Sequence, residues 1–175
     1  MVVQVIGWAL FLFCVYRWIT YFFIYEYYRS LTHTTYLTLI LISLTCINKF
    51  ESTLLNSAAC MSFLLFIIVS IIFISLATDI STFIDGVVLH GVIATFQVYL
   101  LLNRKIVISK KYLLWSFLLY LIFISSYDSF ARIIAAIDMR EETSMIKMTV
   151  QVFYVLCIST ILVYMIKKRF GILLP

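Results

Sequence analysis

Apolar and polar positions along this chain fall in blocks rather than in alternation. Runs of about twenty mostly apolar residues separated by short polar clusters predict membrane-spanning helices, not strands. The first run extends from Val2 to Phe23 or Tyr25, interrupted by Arg17, and closes on Tyr21, Phe22, Phe23, Tyr25, Tyr27 and Tyr28, the rings expected where a helix meets headgroups. Glu26, Arg29 and His33 form a polar connection. The second run, from Leu31 or Tyr36 to Ile47, carries Thr34, Thr38 and Thr45 and is short for a full crossing. A turn of Asn48, Lys49, Phe50, Glu51 and Ser52 leads to the third run, Leu54 to Thr78, whose start holds the small residues Ala58, Ala59, Cys60 and Ser62.

Asp79 and Asp85 bracket the next turn. The fourth run spans Phe83 to Leu102, and His90, Ala94, Gln97 and Leu101 share one of its faces, with Gly91 alongside. A basic loop, NRKIVISKK, opens the fifth run, Tyr112 to Ser126, which can continue as helix towards Ile137. The charged connection DMREETSMIK then precedes the sixth run, Ile146 to Ile166, which Lys167, Lys168 and Arg169 stop.

Composition agrees with the pattern. The chain is 65% hydrophobic and 12% charged, where a soluble domain carries roughly 25% charged residues. The expected fold is an all-α integral membrane protein, residues 1–175 forming one bundle of six transmembrane helices; four long helices with extramembrane extensions are the alternative. No repeat, low-complexity tract or linker divides it, and the N-terminus lacks the basic stretch and small-residue site of a cleaved signal peptide.

Charge sets the orientation. Lys/Arg clusters beside spans stay cytoplasmic, and six crossings place Lys49, Arg104, Lys105, Lys110, Lys111, Lys167, Lys168 and Arg169 on one side, N-in and C-in, as a multi-pass protein of the inner, cytoplasmic membrane. These residues read as topology signals and, from Arg104 through Arg169, as a cytoplasmic basic docking surface. Nothing in them suggests a nucleic-acid partner.

Candidate chemistry is sparse. Counting inward at about 1.5 Å per residue, Arg17, His90, Asp128 and Arg132 fall in the outer half of their spans. Charges at membrane depth cost about 2.5 to 3.5 kcal/mol at the bilayer centre, so they are expected to face each other or water. With Asp85 they line an outward-facing polar cluster for binding or coupling, above an inner half that is apolar and unbroken except for neutral groups such as Gln4, Asn56 and Gln97. The competing reading is structural: Arg17 snorkels, Asp128 and Arg132 pair at the interface, and His90 packs.

The four cysteines lie apart within apolar runs, and neither metal nor cofactor is expected. No zinc-protease, serine-elbow, Walker or C-x-x-C motif is present, so no catalytic residue is assigned and the chain is expected to be non-enzymatic. The expected function is a membrane-embedded subunit or sensor that binds a cytosolic or membrane protein partner, as a homo-oligomer or with that partner. A composition rich in Ile, Phe, Tyr and Lys, typical of AT-rich bacterial mobile-element cargo, adds phage-defence, exclusion or immunity roles. An oligomeric ion channel or pore, or a small-solute transporter, is the alternative.

Overall fold

The computed structural model describes residues 1–20, 23, 34–76, 86–123, 142–170 and 173–175, and these are mostly helical. In chain order come α1 (Val2–Ile19), α2 (Thr34–Ile47), α3 (Thr53–Cys60) and α4 (Phe63–Leu76). A π-helical turn (Gly86–Gly91) leads into α5 (Val92–Leu102), followed by β1 (Ile108–Ser109), α6 (110–123), α7 (Glu142–Arg169) and β2 (Leu173–Leu174). The all-α class expected from the apolar runs holds. Among the described helices, α1 is the one both long and apolar enough to cross a membrane; α2 and residues 89–102 form shorter apolar helices.

α1 and α2 pack antiparallel at very short range. A Cβ on Gly7 would sit 2.8 Å from the Ile47 nitrogen and 2.9 Å from the Cys46 Cβ, so only glycine lets the two backbones approach this closely. Further along, Cys14 Sγ donates to the Tyr36 carbonyl at 3.7 Å and Trp18 stacks on Tyr36. The α2 end is closed by bonds from Phe50 N to Thr45 O and from Lys49 N to Cys46 O, with Lys49 and Phe50 both at positive φ. Ser52 then caps α3 by accepting from Leu55 N.

The third apolar run is not the continuous helix expected from Leu54 to Thr78. It breaks at Met61 and Ser62, where the backbone tightens to a Met61 N to Ala58 O bond before Phe66 N restarts the ladder on Ser62 O. The break has an identifiable cause. Gln97 Nε2 donates to the Ala59 carbonyl at 2.8 Å, and Ser159 Oγ donates to the Met61 carbonyl at 2.7 Å while accepting from Leu64 N. Side chains from α5 and α7 thus take over backbone groups that the helix would otherwise pair.

Contacts fix the direction of the remaining helices. His90 stacks on Phe66, Gln97 reaches Ala59 and Tyr99 meets Phe50, so α5 runs against α3 and α4. Ser109 N bonds Ser57 Oγ and Tyr120 meets Ser62, so α6 runs with them; Ser159 at Met61 and Lys167 at Asn103 reverse α7 again. The first residues of α1, the 48–52 turn, the 103–109 loop and the end of α7 therefore share one end of the bundle. There β1 pairs with β2 in parallel, Ile108 opposite Leu173 and Ser109 opposite Leu174. α7 starts at Glu142 rather than Ile146 and carries Lys167, Lys168 and Arg169 within its last turn.

Large apolar side chains face outward on several helices: Trp8, Leu12 and Tyr16 on α1, Ile71 on α4, Leu114, Trp115 and Ile122 on α6, and Tyr154, Ile161 and Met165 on α7.

Candidate functional site

Two polar assemblies occupy the helix interior. The first is a chain of side chains across the helix break. Gln97 Nε2 donates to Ser62 Oγ at 3.1 Å, and Ser62 Oγ to the Tyr120 hydroxyl at 3.2 Å; Tyr120 and Thr38 lie 2.6 Å apart, and Thr38 Oγ1 donates to the Thr34 carbonyl at 2.9 Å. Each hydroxyl has one proton, so Thr38, committed to Thr34, must accept from Tyr120. The bonds through Tyr120 then run one way, from α5 through the α3–α4 break and α6 to α2, an arrangement in which neighbours polarise one another; Thr38 and Ser62 also lie 3.1 Å apart, closing a triangle of hydroxyls.

All four side chains are buried, and the Gln97 Oε1 oxygen has no hydrogen-bond partner among the described residues. Thr38, Ser62 and Tyr120 lie nine or ten residues from the basic end of their helices. At about 1.5 Å per residue that is about 15 Å, half of a hydrocarbon core of about 30 Å. The third run is therefore broken midway along the helices, beside Gln97, one of the neutral polar groups expected in the inner half. Gln97 was visible in the sequence as the polar member of its stripe; Ser62 was visible only as a small residue, and Tyr120 and Ser159 gave no signal among apolar neighbours.

The second assembly lies at the basic end. Lys167 has 0% exposure, and its ammonium donates to the carbonyls of Asn103 and Ile106, each at 3.0 Å. Burial pushes this amine below its ordinary value, a shift only partly opposed by the nearby Cys60 thiol. The loop it holds is further shaped by Lys105 N on Asn103 Oδ1 and by Asn56 Nδ2, which donates to the carbonyls of Phe50 and Val107. Lys167 thus leaves the expected docking surface: it is an internal strut.

Arg104, Lys105, Lys110, Lys111, Lys168 and Arg169 are exposed at this end, Arg104 over the Phe170 ring and both Lys110 and Lys168 over Tyr164. Glu51 lies in the 48–52 turn at the same end, where Ser109 Oγ also donates to the terminal Pro175 oxygen at 3.0 Å.

Of the expected outer cluster, Asp85, Asp128 and Arg132 lie outside the described residues. Arg17 occupies the last turn of α1, and His90 is buried in the π-helical turn against Phe66, at a centroid distance of 5.9 Å. No group of three or more metal-ligating side chains occurs among the described residues. No family model matches this chain, and neither a curated protein nor a solved structure does.

Proposed function

We propose that this chain is a non-enzymatic protein of the inner membrane, crossing it six times with both termini cytoplasmic, that works as an embedded subunit or sensor for a protein partner. The observation that carries this is the convergence of Arg104, Lys105, Lys110, Lys111, Lys168 and Arg169 on one end of a bundle whose helices turn large apolar side chains outward. Outward Trp, Leu, Ile and Met on four helices suit lipid rather than water. A cationic end against the cytoplasm suits an acidic partner surface. An exclusion, immunity or phage-defence role is a compatible biological setting.

The test is co-purification. Neutralising Arg104, Lys105, Lys111 and Arg169 to Gln removes the partner while leaving membrane insertion intact; an unchanged set of co-purifying proteins defeats the reading.

The break in the third crossing favours a second reading, a small-solute transporter or oligomeric channel. Non-helical backbone at membrane depth occurs where protein or a water-filled path surrounds it. Purified protein in liposomes that passes neither monovalent ions nor small neutral solutes removes this alternative.

A further inference from the structure

We propose that Lys110, Lys168 and Tyr164 hold the phosphate of one anionic phospholipid, whose acyl chain lies along the seam between α6 and α7. The inference rests on the membrane reading above. Lys110 begins α6 and Lys168 ends α7, yet both ammonium groups sit 5.9 Å from the centroid of the same Tyr164 ring. Both lysines are exposed, and neither has a carboxylate partner among the described residues. Two cations converging on a half-buried ring at the end of a helix pair form a basic recess of the kind that suits a phosphodiester headgroup.

The surface below supplies the apolar half of the ligand. On α7, Ile161 and Tyr154 follow Lys168 at helical spacing and are 57% and 62% exposed; on α6, Leu114 follows Lys110 and is 60% exposed. Phe117 meets Phe153, which meets Tyr154, so the two helices present one continuous strip. From Lys168 to Tyr154 is about 21 Å of helix, enough to line one leaflet of a core about 30 Å thick. The position of the cations at the head of that strip selects a lipid over a soluble anion, which needs no apolar track.

The experiment uses the full chain in detergent, with phosphatidylglycerol, phosphatidylcholine of the same acyl chains, or inorganic phosphate added, read by native mass spectrometry and thermal unfolding. The wild type retains phosphatidylglycerol in preference to phosphatidylcholine and is stabilised by it. Each lysine contributes roughly fivefold to that preference, so K168Q lowers it about fivefold and K110Q/K168Q about twenty-fivefold, whereas R104Q/K105Q keeps it. Equal retention of both lipids by the wild type overturns the proposal. So does an undiminished preference in K110Q/K168Q, an equal loss in R104Q/K105Q, or stabilisation by inorganic phosphate matching that of the lipid. Alkaline carbonate washing of membranes separates the two levels: release of the protein defeats the membrane reading itself, while retention without lipid preference defeats only this site.

Discussion

Lys167 and Asn103 are 64 residues apart, yet the lysine Nζ lies 3.0 Å from the asparagine carbonyl. A second bond to Ile106 O makes that amine the pin that ties the end of α7 to the loop after α5.

Lys167→Met keeps an unbranched side chain one atom shorter and removes its donors. The carbonyls of Asn103 and Ile106 then lack their partner in a site closed to water, at a cost of about 1–3 kcal/mol. Thermal unfolding in detergent reports a lower midpoint than Lys168→Met, which alters an exposed side chain; equal midpoints would show that the pin carries no weight.

The same amine gives a pH dependence of known sign. Its folded value lies below the unfolded value of 10.5, so between the two the unfolded chain binds more protons and stability rises with pH. Above 10.5 the gain is complete; below the folded value it is absent. A neutral amine still has two N–H groups for two carbonyls. The difference in stability between wild type and Lys167→Met therefore widens in favour of the wild type as pH climbs towards 10.5, and a difference flat with pH contradicts the assignment.

Tyr120→Phe removes one corner of the hydroxyl triangle and leaves Thr38 and Ser62 3.1 Å apart. Interhelical hydrogen bonds in membranes average about 0.6 kcal/mol and reach about 1.7, and the loss is expected near the upper figure because Thr38 and Ser62 both meet this hydroxyl. Combined with Thr38→Val the losses add to less than their sum, since both remove the 2.6 Å bond. Strict additivity in the double-mutant cycle would mean that the bond is not made.

Gly7→Ala improves helix propensity by about 1 kcal/mol and would stabilise an isolated α1. Here the new methyl meets the backbone nitrogen of Ile47 at 2.8 Å, so α1 must move away from α2, at about 1–3 kcal/mol. Net destabilisation, with faster proteolysis of the α1–α2 hairpin, is the expected result; a raised melting temperature would refute the close approach.

The helical class and the shared end of the basic segments were legible because both follow from run length and from where Lys and Arg fall. The fourth run appeared as a regular helix from Phe83, whereas its described start is the π-helical turn at Gly86–Gly91. The break at Met61 was hidden for a different reason. Its cause lies not in the local residues but in Gln97, 38 positions from Ala59, and Ser159, 98 positions from Met61. Lys167 misled because charge patterning sorts cations by side of the membrane and says nothing of which ones are enclosed. The two-residue pairing of Ile108 and Ser109 with Leu173 and Leu174 is too short to leave any period.

The hydroxyl of Ser159 also gives the molecule a clock. Until residue 159 has left the ribosome, the carbonyl of Met61 has no side chain to receive, and nothing from α7 rewards a gap between α3 and α4. Gln97, made earlier, already reaches the Ala59 carbonyl, so the interruption gains its second support only when α7 is in place.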